Sequence, residues 1–373
     1  MTRIGPKLPS GFFGRLAKLS GPLALSLGSL LVTLLALEAA FRLLHIPVGT
    51  VQINRATIER SSNPRLQFEL RPGGVARAEV EYRINRLGLR GPETREAKPP
   101  GVRRVAVVGD SITFGYWVEE ADAWPRQLQA LLGGQQAGVE VLNFGVPGFN
   151  LDQEIELVRS RVRDFGPDEV VVGFCLNDLE GIFSYEYGLT VDRTSRRASL
   201  LGRAYDELLS HSVLLSFVEY RLTELEARRQ FAEAKNPLGG KLYEEAVAEQ
   251  RAALKGRFDV LAALLKPRGI RGLVAVFPTF GNRFANYPHR DLHAAISAAA
   301  RDAGLEVVDL LDCLSPYDYR DLRVDVVHPS PLGHRVAAHA VRDALCSDGW
   351  SCPPVTGSCD TYRPTDFRTL RGY

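Results

Sequence analysis

A serine, a histidine and an aspartate in this sequence have the types and spacing that covalent catalysis requires. Ser111 follows a short apolar run, residues 105–108, and the small pair Gly109-Asp110. A serine hydroxyl is too weak an acid to attack a carbonyl unaided, so it needs a neighbouring base. His328 is a candidate for that base, and Asp325 stands three residues before it, where one turn of chain can hold the imidazole in the required tautomer. The alternative for Ser111 is a helix cap at a strand-to-turn connection.

The elements that would position these residues alternate between strands and helices from residue 102 onward. Short apolar runs predict strands at residues 105–108, 139–143, 170–174, 272–277 and 307–311. Amphipathic spacing predicts helices at residues 124–132, 151–163, 290–303 and 334–345. Strands separated by helices favour right-handed crossovers and a parallel sheet that is covered on both faces, so the predicted fold class is α/β.

Three further polar stretches follow predicted strands or precede the last predicted helix. They are Asn143-Phe144-Gly145-Val146-Pro147-Gly148, Cys175-Leu176-Asn177-Asp178 and Asp325-Val326-Val327-His328-Pro329. In a doubly wound sheet the carboxyl ends of the strands lie along one edge, where ligands bind. The sequence therefore predicts that these three stretches meet Ser111.

Gly109-Asp110-Ser111 and these three stretches, taken in this order, resemble the four sequence blocks of the SGNH (GDSL-like) hydrolase superfamily. The resemblance extends over roughly residues 102–346. The name motif of the superfamily has Leu where this chain has Ile112, which is an apolar change. The resemblance implies a flavodoxin-like three-layer α/β/α fold and the chemistry of esterases, lipases, thioesterases or carbohydrate deacetylases. The N-terminal apolar run, the Asn-Arg-Leu-Gly-Leu-Arg-Gly link at residues 85–91 and the Asn-Phe-Gly-Val-Pro-Gly loop also resemble a bacterial membrane-anchored branch of that superfamily.

Carried over residue by residue, the resemblance implies that Ser111 is the nucleophile and His328 the general base and acid, with Asp325 stabilising the imidazolium. It also implies an oxyanion hole formed by the backbone N–H groups of Ser111 and Gly148 and by the side-chain amide of Asn177. The glycine three residues before Gly148 is the alternative donor, and a structural turn residue is the alternative for Asn177. No metal or organic cofactor is implied.

The first 44 residues predict a membrane anchor. Residues 1–18 carry basic but no acidic side chains, and residues 19–37 carry no charge. Because about twenty apolar residues are needed to cross a bilayer as a helix, residues 19–44 are long enough. The basic flank places residues 1–18 in the cytoplasm and the domain on the periplasmic or extracellular side of a bacterial inner membrane. A cleaved signal peptide is the alternative, although Glu38 interrupts the expected cleavage region.

The roles of the remaining segments are predicted from their composition and from their position relative to the alternating strands and helices. Residues 45–101 predict a linker that packs on the hydrolase domain, which spans residues 102–346. Residues 181–265 interrupt the alternation with two long charged amphipathic helices, around residues 200–234 and 242–265. Four interpretations of this insertion remain open. It is a lid over the active site, a dimerisation arm, a surface that faces the membrane or a partner, or a solvated helical hairpin packed on the sheet. Residues 347–373 predict a C-terminal tail.

The cysteines are few, and three of them crowd the C-terminus. Cys346, Cys352 and Cys359 predict one disulfide, either Cys352 with Cys359 or Cys346 with Cys352, in an oxidising compartment. Cys175 and Cys313 lie in apolar surroundings and are predicted to be buried packing residues.

Composition and the remaining motifs argue against other classes of protein. The net charge of +2 gives no case for a nucleic-acid partner. The sequence contains no P-loop, no dinucleotide fingerprint and no Gly-x-Ser-x-Gly elbow. His289 and His293 have a spacing that metal sites use, but without a third ligand they are predicted to be two surface histidines.

The resulting hypothesis is a membrane-anchored serine esterase that acts on a small acyl or acetyl group of a cell-envelope carbohydrate. The first alternative is an O-acyltransferase acting on cell-surface polysaccharide, because water and a sugar hydroxyl compete for the same acyl-enzyme. A lipase or thioesterase and a non-catalytic envelope protein are further alternatives.

Overall fold

A computed structural model describes residues 12–44, 50–77, 80–179, 208, 211–218, 221–222, 241–281, 283–347 and 352. The predicted cytoplasmic segment up to residue 11, the predicted helix around residues 200–234 apart from the few positions above, and nearly all of the predicted C-terminal tail lie outside the described residues.

The elements alternate as the sequence predicts. The strands are β1 (Ile58–Arg60), β2 (Phe68–Leu70), β3 (Val75–Arg77), β4 (Glu81–Arg83), β5 (Arg103–Gly109), β6 (Val139–Asn143), β7 (Glu169–Phe174), β8 (Arg271–Val276) and β9 (Glu306–Asp309). The helices are α1 (Phe12–Leu43), α2 (Thr50–Thr57), α3 (Ser111–Phe114), α4 (Trp124–Leu131), α5 (Leu151–Ser160), α6 (Lys241–Leu265), α7 (Arg290–Asp302), α8 (Leu310–Leu314) and α9 (Pro331–Cys346).

Five parallel strands form the central sheet, in the order β6-β5-β7-β8-β9. The chain starts at β5, adds β6 on one side and then continues from β7 on the other, which is the flavodoxin-like order with its switch point at the end of β5. The expected α/β fold class is confirmed. Strand β9 ends two residues before the predicted boundary because the Asp309 side chain accepts a hydrogen bond from the Leu311 N–H (3.0 Å) and begins α8.

Alternate residues of β5 enter two hydrophobic cores, one on each face of the sheet. Ala106 and Val108 face the core that is covered by α5, α6 and α7. Val105 and Val107 face the core that is covered by α4, α8 and α9. Both faces of the strand are fully buried, which is why residues 105–108 read as a continuous apolar run.

The N-terminal hairpins extend the first core. Strands β1 and β2 pair antiparallel, as do β3 and β4. Tyr82 of β4 stacks on Phe114 of α3, with ring centroids 5.7 Å apart. The guanidinium of Arg90 lies against both rings, and it donates hydrogen bonds to the carbonyl oxygens of Phe114 (2.7 Å) and Val118 (2.7 Å). These contacts fix the loop that follows Ser111.

Helix α1 contains a stretch, Leu25–Leu43, that is long and apolar enough to span a membrane, with a mean hydropathy of 1.6. The last turns of α1 contact residues 212–217 of the insertion that interrupts the sheet. The Glu38 carboxylate accepts hydrogen bonds from the Ser212 hydroxyl (2.8 Å) and from the N–H groups of Val213 and Leu214 (3.0 Å each). Phe41 packs edge-on against Phe217, with ring centroids 5.2 Å apart.

Two predictions about minor residues are wrong. His293 is buried, and its Nδ1 atom lies 2.9 Å from Asp309 Oδ1, so it is a core residue rather than a surface one. Cys313 is half-buried and disulfide-bonded, so it is not the buried packing residue that the sequence predicted. Of the two disulfide alternatives, the structure forms Cys346 with Cys352. Cys175 is buried and free, as predicted.

Candidate active site

Ser111 is the first residue of α3, directly beyond the end of β5. Two glycines allow this helix to lie close to the sheet, because a Cβ atom at Gly109 or Gly173 would be 2.1 or 2.2 Å from Thr113 Oγ1. The helix is capped by Asp110, whose carboxylate accepts a hydrogen bond from the Ile112 N–H (2.8 Å). The cap is therefore Asp110, and the Ser111 hydroxyl is available for another role.

The loop before α9 brings an imidazole to that hydroxyl. His328 Nε2 lies 2.9 Å from Ser111 Oγ, and His328 Nδ1 lies 2.7 Å from Asp325 Oδ2. The other carboxylate oxygen of Asp325 accepts hydrogen bonds from the N–H groups of Val327 (2.8 Å) and His328 (2.7 Å). The three-residue spacing thus closes a tight turn in which the aspartate fixes both the backbone and the ring of the histidine.

The electrostatics of Asp325 keep it ionised. Burial raises the pKa of its carboxyl, but hydrogen bonds from the His328 side chain and from the N–H groups of Val327 and His328 outweigh this and lower the pKa from 3.8 to about 2. Because the folded-state pKa is depressed, the stabilisation from this contact is present above pH 3.8 and is lost as the pH falls through about 2. Asp325 therefore stays ionised near neutral pH.

Asn177, beyond the end of β7, contacts the same aspartate, Asp110, as the Ser111 hydroxyl does. It lies in a short 3₁₀ turn, Leu176–Asp178, and its amide nitrogen donates a hydrogen bond to Asp110 Oδ2 (2.6 Å). Ser111 Oγ is 3.4 Å from the same Asp110 oxygen. Since a primary amide has two N–H donors, one remains for another acceptor beside Ser111.

The two candidate glycines of the second stretch differ in their surroundings. The Gly145 N–H is donated to Asn143 Oδ1 (2.9 Å), and a Cβ atom at Gly145 would be 2.3 Å from the Phe114 nitrogen. Gly145 is therefore a close-packing residue whose donor is used locally. Gly148 is half-buried with a φ of +82°, a conformation that favours glycine.

Sequence reasoning did not predict Glu154, nor that the acidic side chains around the nucleophile are buried. Asp110, Glu154 and Asp178 are each at most 1 % exposed, and they interact electrostatically with one another. The signal for Glu154 was present: it shares the buried face of α5 with Leu151 and Val158, where an apolar residue is expected.

A parallel α/β sheet with a hydrogen-bonded serine, histidine and aspartate at its carboxyl edge has the architecture of a hydrolase. Residues 107–336 match the model of the GDSL-like Lipase/Acylhydrolase family. This match covers more than half of the chain, and the chain belongs to that family. It is thus a hydrolase of the class that acts on ester bonds. No curated protein sequence matches the chain.

Several solved structures are similar to this chain. A mutant of Axe2, an acetyl-xylooligosaccharide esterase from Geobacillus stearmophilus, is 17% identical with a TM-score of 0.42, over 68% of this chain and 97% of the other. The acetyl xylan esterase AlAXEase is 16% identical with a TM-score of 0.40, over 65% and 99%. A GDSL-like lipase from Bacteroides thetaiotaomicron is 16% identical with a TM-score of 0.37, over 67% and 91%.

Proposed function

We propose that the chain is a membrane-anchored serine esterase in which Ser111, His328 and Asp325 form the catalytic triad. The observation that carries the proposal is the continuous hydrogen-bonded path from Ser111 Oγ through both ring nitrogens of His328 to Asp325. The ionised Asp325 favours the tautomer with the proton on Nδ1, so Nε2 is the atom that accepts the serine proton.

In the acylation step, Ser111 Oγ attacks the ester carbonyl as its proton passes to His328 Nε2. The carbonyl oxygen becomes an oxyanion, and the backbone N–H groups of Ser111 and Gly148 and the second amide hydrogen of Asn177 are the proposed donors to it. The intermediate collapses with cleavage of the bond to the alcohol oxygen, and His328 gives its proton to the leaving alcohol. In deacylation His328 activates a water, which releases the acid and restores Ser111.

The proposed substrate is a small acyl ester, such as an acetyl group on a cell-envelope carbohydrate. The loop that carries His328 presents two exposed apolar side chains, Val324 and Val326. Trp117, which is half-buried, follows Tyr116, and the Tyr116 ring lies edge-on to His328 with centroids 5.7 Å apart. Tyr116 itself is fully buried, so the side chains that suit contact with a short acyl chain or the face of a sugar ring are Val324, Val326 and the half-buried Trp117.

Turnover of esters of increasing chain length tests this proposal. With the full chain in detergent, we expect 4-nitrophenyl acetate to be hydrolysed with a higher kcat/KM than the butyrate and octanoate esters. Equal or rising kcat/KM with chain length would contradict the small-acyl proposal and favour a lipase. Adding acetyl-accepting oligosaccharides distinguishes the acyltransferase alternative, because transfer yields an acetylated sugar in place of free acetate.

We also propose that α1 is retained as an uncleaved anchor that holds the domain on the periplasmic or extracellular side. The contacts of Glu38 with residues 212–214 support this, since removal of α1 would leave those donors without their acceptor. We expect the membrane-bound protein to keep its N-terminal peptide in mass spectrometry. A mature protein that begins after α1 would contradict the anchor.

A further inference from the structure

Arg90, in the segment that precedes the sheet, is a buried cation beside the turn that follows the nucleophile. It is 2 % exposed. Its guanidinium donates hydrogen bonds to the backbone carbonyl oxygens of Phe114 (2.7 Å), Gly115 and Val118 (2.7 Å). The guanidinium carbon lies 4.7 Å from the centre of the Tyr82 ring and 4.9 Å from that of Phe114. Carbonyl oxygens and aromatic faces both attract a cation, so these contacts stabilise the buried charge.

The turn that Arg90 contacts, residues 114–118, is hydrogen-bonded directly to the nucleophile. The carbonyl oxygen of Ser111 accepts the N–H groups of Gly115 (2.9 Å) and Tyr116 (3.0 Å). The Tyr116 ring lies edge-on to His328, with centroids 5.7 Å apart. One turn therefore contacts both the nucleophile and the base of the proposed triad.

The backbone of this turn has a conformation that a large side chain rarely adopts. Trp117 has a φ of +66°, in the left-handed region that is uncommon for a bulky residue. The Trp117 N–H donates a hydrogen bond to the Tyr82 hydroxyl (2.9 Å), and Arg90 binds carbonyl oxygens before and after it. Such a conformation is unfavourable by itself and persists only where the surrounding structure holds it. Contacts from the segment before the sheet therefore maintain the shape of the turn.

A guanidinium suits this role better than an ammonium does. It presents five N–H donors in a fixed planar fork, so it binds several carbonyl oxygens at once, whereas lysine is a compact point charge on a flexible stem. Burial lowers the pKa of Arg90 to about 10, which leaves the group protonated near neutral pH. Lysine at this position therefore keeps the charge but loses part of the hydrogen bonding.

We propose that Arg90 is a positioning residue for ester hydrolysis, because its guanidinium holds the turn at residues 114–118 in the strained shape that fixes Ser111 against His328. The role rests on the proposed function, since Arg90 acts through the nucleophile. Without the guanidinium, three buried carbonyl oxygens lose their donor and the turn changes shape. The 2.9 Å contact between Ser111 Oγ and His328 Nε2 is then lost. Turnover falls, whereas substrate binding does not depend on Arg90.

Kinetics of Arg90→Lys test the proposal. We expect R90K to lower kcat for 4-nitrophenyl acetate about 10²-fold, because misplacing the reacting atoms by about 1 Å can cost that much. The KM is expected to stay within about twofold of the wild-type value, since uniform binding is unchanged. Circular dichroism and Tm confirm that equal amounts of folded protein are compared.

Arg104→Lys is the matched control. Arg104 is fully buried and also donates hydrogen bonds to three backbone carbonyl oxygens, those of Arg95 (3.1 Å), Glu96 (2.7 Å) and Phe165 (2.5 Å). It lies near the start of β5, at the opposite end of that strand from Ser111. R104K is therefore expected to lower Tm and to leave kcat unchanged.

Chemical rescue separates positioning from a general loss of stability. Arg90→Ala removes the donors and leaves the three carbonyl oxygens around an empty space. We expect millimolar guanidinium chloride to raise the kcat of folded R90A about tenfold, which corresponds to recovery of part of the lost transition-state stabilisation. Potassium chloride at the same ionic strength is expected to have no effect. Where R90A does not fold, the comparison of R90K with R104K decides the proposal.

Equal losses of kcat in R90K and R104K would overturn the proposal, as would a folded R90A whose kcat guanidinium does not raise. A wild-type kcat in R90K beside an inactive Ser111→Ala would refute the role of Arg90 and leave the proposed function standing. Equal rates of the wild type and S111A would instead refute the proposed function itself.

Discussion

Ser111→Ala is expected to lower kcat/KM for 4-nitrophenyl acetate by about 10⁴-fold or more. The hydroxyl oxygen of Ser111 is the atom that forms the covalent bond to the acyl group. His328 Nε2, 2.9 Å away, accepts the proton of that hydroxyl in the first step, and alanine has no such proton. The oxyanion donors remain in the variant, so a small residual rate above that of water is expected. Initial rates with equal amounts of folded protein provide the measurement.

Ser297→Ala is the matched control for this substitution. Ser297, on α7, is 4 % exposed, and its hydroxyl has no hydrogen-bond partner among the described residues. The S297A substitution therefore also removes a serine hydroxyl oxygen from a buried site. We expect its kcat/KM to stay within about twofold of the wild-type value. A similar rate loss in both variants would show that S111A acts through the fold rather than through the chemistry.

Asp325→Asn is expected to lower kcat by about 10⁴-fold near neutral pH while the protein stays folded. The asparagine oxygen can still accept the N–H groups of Val327 and His328 and so keep the turn. Its amide nitrogen, however, presents a donor to His328 Nδ1. The ring then carries its proton on Nε2 and cannot accept the proton of Ser111.

The chain provides a second histidine–aspartate pair as a control for this prediction. Asp309 Oδ1 lies 2.9 Å from His293 Nδ1, and it also caps α8. Asp309→Asn also replaces the carboxylate beside a histidine Nδ1 with an amide, but it does so in the core, away from Ser111. We therefore expect a lower Tm and an unchanged kcat. If D309N reduces kcat as strongly as D325N, the special role of Asp325 is refuted.

The central sheet and the residues at its edge were largely predictable from the sequence. The strand at residues 105–108 is buried on both faces, and such strands appear as continuous apolar runs. Ser111 and His328 are 217 positions apart, yet each follows a recognisable local pattern, and the parallel sheet and its last helix bring the patterns together. The Asp325 contact is local to one turn, so its spacing alone indicated it.

Contacts between distant segments were not predictable. Glu154 and Asp178 belong to different elements, and neither local sequence shows that both carboxyl groups are buried. His293 has a spacing that suggests a surface or a metal site, but its partner, Asp309, comes from the next strand. Glu38 looked only like the end of an apolar run, because its hydrogen bonds go to residues more than 170 positions later.

The central claim is that Ser111 becomes covalently modified with the help of His328, and labelling by a fluorophosphonate tests it most directly. Attack by Ser111 Oγ forms an O–P bond and releases fluoride, while the serine proton passes to His328. Digestion and tandem mass spectrometry of the full chain should locate one adduct on Ser111, absent from S111A and formed far more slowly in His328→Ala. An adduct on another residue, or equal labelling of the wild type and S111A, would contradict the account.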